Sequence, residues 1–100
     1  MNLFRGDTFF RTFETEDYKL RVGDKLHIAV MRNAYSKKFL FEKEIEIKEE
    51  SESFDVEILP NETKDFPIAE LLLEIELTTF DGIVQTNQYK INVEVDGING

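Results

Sequence analysis

The residues whose chemistry could build a site are few and lie in short clusters. His27 is the only histidine and there is no cysteine. A thiolate zinc site, a disulfide and a cysteine nucleophile are therefore excluded together, and His27 lacks partners for a zinc site or a nucleophile and base pair. Glu42, Glu44 and Glu46 recur at every second residue. On a strand that spacing brings the carboxylates to one face, about 7 Å apart, where they could collect a hard cation such as calcium. The same pattern describes a solvated outer face that discourages edge pairing, and this is the reading adopted. Glu49, Glu50 and Glu52, interspersed with serine, read as a charged loop. Arg5-Gly6-Asp7 spells the tripeptide that integrins read on extracellular ligands, yet no export signal accompanies it. Its structural reading is that Gly6 lets the backbone bend into the first strand while Asp7 satisfies a nearby amide. The chain has no Gly-rich phosphate loop and no serine-nucleophile motif. A carboxylate pair for glycoside hydrolysis needs a cleft, for which a small sandwich without long loops offers little room. The expectation is a protein with no catalytic residues, no cofactor, no metal site and no enzymatic activity.

The elements that would position these residues follow from periodicity. Thr8 to Phe13 is β-branched and aromatic and predicts a first strand, although Arg11 between Phe9 and Phe13 breaks the alternation. Lys25 to Arg32 alternates, with Leu26, Ile28 and Val30 on one face and His27 and Met31 on the other. Phe39, Phe41, Ile45 and Ile47 share one face while Glu42, Glu44, Glu46 and Lys48 share the other, the clearest period of two in the chain. After a charged turn, Phe54, Val56 and Ile58 repeat the pattern against Asp55 and Glu57, and these two segments could pair through that turn. Leu59-Pro60-Asn61-Glu62 suits a type I turn extending into at most one helical turn near residues 60–67. Ala69 to Thr79 fits both periods. Ile68, Leu71, Leu72 and Ile75 would make a helical stripe, and Leu71, Leu73, Ile75 and Leu77 a strand face. The hairpin signal Asp81-Gly82 and the alternation of Tyr89, Ile91, Val93 and Val95 beyond it favour the strand, because a tight hairpin needs a strand on each side.

Composition bounds the whole. With 100 residues, 41% of them hydrophobic, and nine phenylalanines, the chain suffices for one core and reads as a single soluble domain over 1–100. No stretch approaches the roughly 20 apolar residues of a membrane span, and the N-terminus has no secretory signal. The formal charge of −9 and the pI near 4.5 argue against nucleic acid as a partner. Residues 1 to 41 hold eight Lys/Arg against five Asp/Glu and carry +3, whereas residues 42 to 100 hold four against sixteen and carry −12. If the topology keeps the two parts on separate faces, the domain could self-associate head to tail. Leu3 and Phe4, which precede the first strand and have no assigned core position, are the expected apolar anchors of a protein interface.

From Gly6 onward the chain resembles the immunoglobulin-like N-terminal domain of phage baseplate upper proteins, found in tailed phages and prophages of Gram-positive bacteria. Gly6-Asp7-Thr8-Phe9 looks like that family's opening Gly-Asp-Thr-aromatic strand. Pro60-Asn61-Glu62-Thr63-Lys64 stands where the family has a polar turn, and Ile75-Glu76-Leu77-Thr78 before Asp81-Gly82 is similar to its penultimate strand and hairpin. Tyr89 to Asp96 looks like its last strand. The chain departs from the family at Ile68-Ala69-Glu70-Leu71, where a Gly and a Tyr are usual, and matches it loosely over Tyr18 to Gly23. The resemblance implies an all-β, immunoglobulin-like antiparallel β-sandwich of about six to seven strands. It also implies a structural docking role in a virion, with other tail or baseplate proteins as partners, made in the host cytoplasm. A small carbohydrate-binding or adhesin-type β-sandwich is the competing expectation, although without Trp no exposed sugar platform is obvious.

Overall fold

A computed structural model describes residues 1–95. They form seven strands and one helical turn: β1 (Asn2–Phe4), β2 (Phe9–Glu14), β3 (Lys25–Met31), β4 (Phe41–Glu46), β5 (Ser53–Ile58), α1 (Pro60–Thr63), β6 (Glu70–Thr78) and β7 (Val84–Glu94). The strands make two sheets, a five-stranded one ordered β1-β7-β6-β3-β4 and a two-stranded one of β2 and β5. One sheet curls into a half-barrel.

The core lies between the sheets, and period-two patterning puts it there. Leu26, Ile28 and Val30 of β3 stand in register with Leu77, Ile75 and Leu73 of β6. Phe9, Val56 and Ile58 face them from the two-stranded sheet within the same apolar cluster. Leu73, Val30 and Ile58 are wholly buried, and each such side chain stabilises the fold by about 1.5–3 kcal/mol relative to exposure. Glu70–Thr78 is a strand, so the helical alternative for this segment is excluded. Its leucines favour a helix locally, but β6 sits between β3 and β7 and bonds on both edges. That ladder outweighs local propensity.

Several expectations are corrected. The strand expected over Thr8 to Phe13 spans Phe9–Glu14, and a strand precedes it that three residues were too short to announce. This β1 runs parallel to β7 with Leu3 opposite Val93, so the sheet is not purely antiparallel. Leu3 does have a core position, being 3% exposed. Phe39, expected on the core face, is exposed, and its ring meets the edge of His27 at 5.6 Å. It lies before β4 begins, where Leu40 N–H already bonds to Val30 C=O at 2.7 Å, so the alternation starts afresh at Phe41. β4 and β5 do not pair with each other: β4 pairs with β3, and β5 with β2. The charged segment between them crosses from one sheet to the other and is tied down by Leu20 and Ser51. The strands of the basic and acidic parts also interleave in both sheets, which removes the premise of two faces with unlike potential.

Candidate functional site

On the outer face of the large sheet, β4 sets Glu42, Glu44 and Glu46 opposite Ala29, His27 and Lys25 of β3. β6 sets Glu74 and Glu76 opposite Ala29 and His27 from the other side. The carboxylates have local partners: His27 Nε2 lies 2.9 Å from Glu42 Oε2, Lys48 Nζ 3.3 Å from Glu46, and Lys25 Nζ 4.0 Å from Glu44. Among the described residues no group of three or more His, Asp or Glu side chains is placed to hold a metal ion. The face carries a His27–Glu42 hydrogen bond and solvated Lys–Glu ion pairs, each pair contributing at most about 1 kcal/mol.

The Arg5-Gly6-Asp7 tripeptide forms a turn. Gly6 has φ of +90°, a conformation that side chains disfavour, and Asp7 N–H closes the turn on Phe4 C=O at 3.1 Å. The group that meets it is Thr63 of α1, which is wholly buried. Its hydroxyl accepts from Gly6 N–H at 3.0 Å and donates to Asp7 C=O at 2.8 Å. The Asp7 backbone, rather than its carboxylate, makes the contact.

A polar knot that sequence reasoning missed closes the opposite end. Asp24 is wholly buried. Its carboxylate accepts from Tyr18 OH at 2.7 Å, Arg21 N–H at 2.9 Å and Phe80 N–H at 3.0 Å. Burial pushes the carboxyl up, but the bonds from Arg21, Tyr18 and Phe80 outweigh it and hold Asp24 below its ordinary range. Tyr18 is raised, by burial first and then by its bond to Asp24. The Arg21 guanidinium donates to Tyr18 OH at 3.1 Å and covers the Phe80 ring at 4.3 Å. The bond from the Thr79 hydroxyl keeps Asp81 low. The knot ties the connection before β3 to the β6–β7 turn, in which Gly82, with φ of +92°, closes a three-residue loop between Thr79 and Ile83. Gly23-Asp24, a pair that favours a turn, ends the segment before β3. That its aspartate would reach across to Phe80 was not legible, because the contact spans 56 residues.

Between the sheets, on the side of β2 and β7, a cleft of about 550 Å³ opens. Phe13 stacks on Phe54 at 5.6 Å and tilts against Tyr89 at 5.2 Å to form one wall. Gln85 and Asn87 stand opposite Leu77 and Ile75, so they occupy core-facing positions and line the cleft with amides. Glu14, Glu16 and Asp17 form its rim.

Edges are the remaining feature. β2 bonds to β5 through its odd-numbered residues, as Thr15 N–H to Glu52 C=O at 2.8 Å indicates, so Phe10, Thr12 and Glu14 face outward. The outward Phe10 carbonyl is occupied by Arg11 Nη1 at 2.8 Å. The arginine that breaks the alternation guards an edge. β4 carries Glu42, Lys43, Glu44 and Glu46, and β5 carries Asp55 and Glu57. On β7, β1 covers only Asn92–Glu94. From Val84 to Gln88 the edge has no neighbouring strand among the described residues and no charged residue. Of the two interface residues expected, Leu3 is in the core and Phe4 stays 42% exposed. Comparison of the chain with family models, curated proteins and solved structures finds no match.

Proposed function

We propose that the chain is a non-catalytic docking module of a phage or prophage tail, an immunoglobulin-like sandwich that engages other tail or baseplate proteins. The strand order supports the fold reading: β4, β3, β6 and β7 follow the C′, C, F and G order of one immunoglobulin-like sheet, and β2 and β5 correspond to B and E of the other. Two of the segments that carry the family resemblance, Gly6-Asp7 and Pro60 to Lys64, meet through Thr63. The observation that carries docking is the unguarded edge of β7 from Val84 to Gln88 in a molecule whose β2, β4 and β5 carry charges along their length. Exposed, uncharged edges are templates for strand addition by a partner.

The test is co-expression with the proteins encoded by the genes flanking this one, among which the reading expects tail or baseplate proteins. A complex that survives purification and is lost in Thr86→Pro supports the reading; no complex with any of them removes it. A second reading, a saccharide-binding module, is favoured by the cleft, whose inward amides and aromatic wall suit hydroxyl-rich ligands. Titration with neutral oligosaccharides separates the two, because Asn87→Ala abolishes sugar binding and leaves docking at the edge intact.

A further inference from the structure

β7 uses its two edges differently. Thr79 N–H bonds to Ile83 C=O at 2.8 Å and Val93 N–H to Ala69 C=O at 2.9 Å, with continuous register between them. Odd-numbered residues of β7 therefore bond to β6, and even-numbered ones face away. Asn92 and Glu94 use that outward side on the β1 segment: Asn92 N–H bonds to Met1 C=O at 2.8 Å, and Glu94 C=O accepts from Arg5 N–H at 2.9 Å. The outward backbone groups of Val84, Thr86 and Gln88 face solvent.

We propose that this edge pairs with the same edge of a second copy of the chain, antiparallel and centred on Thr86, joining two five-stranded sheets into one. The inference rests on the docking reading and adds to it: the same edge holds a second copy of the chain until a tail or baseplate protein takes its place. In this register Val84 stands opposite Gln88, Gln85 opposite Asn87, and Thr86 opposite itself. Every outward N–H and C=O of the three even residues then finds a partner, roughly six hydrogen bonds in all. No two charges oppose each other, which is the condition a stable cross-strand set requires. Beyond the centre, Ile83, 57% exposed, comes opposite Tyr89, and Lys90 comes beside the turn holding Asp81. Val84, 56% exposed, is covered at the seam. β1 begins where this seam ends, so it does not obstruct the pairing. The net charge does not forbid it either. Glu74 and Glu76 of the two copies lie on strands three spacings apart, about 14 Å, against a Debye length of about 8 Å at physiological salt.

Sedimentation equilibrium of the full chain from about 10 μM to about 1 mM tests the proposal, since edge pairing alone gives weak association. The expected mass rises from 11.7 kDa toward twice that value. Thr86→Pro removes an N–H that points away from β6, so its circular dichroism should match the wild type while its mass stays monomeric. Thr86→Lys places two ammonium groups across the two-fold axis and should weaken association at least about tenfold at low salt. Hydrogen exchange gives a readout that needs no variant: the Thr86 and Gln88 amides should gain protection as concentration rises. A wild type that stays monomeric at the highest concentration overturns self-pairing, as does a dimer whose Thr86 and Gln88 amides remain open. If Thr86→Pro still abolishes a complex with a tail protein, docking survives without self-pairing; if it abolishes neither, both fall.

Discussion

Asp24 accepts hydrogen bonds from Tyr18, Arg21 and Phe80, and no side chain that cannot accept three bonds can replace it. Asp24→Ala leaves two backbone N–H groups without their acceptor, so it should destabilise the fold by at least about 2 kcal/mol in urea titration. Its carboxyl is held below the ordinary range in the folded protein. The stabilisation is therefore fully present above the unfolded carboxylate range and is lost as pH falls through the folded value. Acid titration of the wild type should show this loss, and Asp24→Asn should flatten it. Leu73→Ala, at a wholly buried position, should cost about 2–5 kcal/mol. Ile45 is only partly buried, and Ile45→Ala should cost clearly less. Glu44→Ala on the solvated face should cost less than about 0.5 kcal/mol. Millimolar calcium should leave the melting temperature unchanged, since a ligand stabilises only by preferring the folded state. A rise of several degrees would return Glu42, Glu44 and Glu46 to consideration as a cation site.

At the scale of elements, period-two alternation was legible wherever one face of a strand meets the core and the other meets water, as in β4 and β5. It was misleading at Phe39, which matches the inward parity of Phe41 and Ile45 but precedes the strand that enforces that parity. It was silent at β1, whose three residues form a strand only because β7 is there to receive them. Pairing partners were legible at the β6–β7 hairpin, which Asp81-Gly82 announced, and not elsewhere. β4 and β5 lie next to each other in sequence and alternate alike, yet they belong to different sheets. The amides Gln85 and Asn87 were the one available signal of the cleft, since they stand at core-facing positions of a strand whose later half is apolar. Thr63 carries the joint between α1 and the turn after β1. Thr63→Val keeps the volume and removes the hydroxyl, leaving Gly6 N–H and Asp7 C=O unpaired. The expected loss is about 1–3 kcal/mol, with the Gly6 amide newly open to hydrogen exchange.

For the whole molecule, the arrangement of charge decides how association responds to salt. Strands from the +3 part, residues 1 to 41, and from the −12 remainder are mixed within both sheets. Two copies therefore meet with net repulsion rather than as complementary halves. Head-to-tail attraction between unlike faces would weaken as salt rises, because screening removes the attraction that drives it. Pairing along the uncharged β7 edge has the opposite sign. Backbone hydrogen bonds at the seam are little affected by ionic strength, whereas the repulsion between two chains of charge −9 is screened. Association measured at about 20 mM and about 300 mM salt should be stronger at the higher value, over a range in which the screening length falls severalfold. Thr86→Pro should remain monomeric at both. Light scattering that shows association weakening with salt would contradict the edge geometry and point to contacts between charged faces instead.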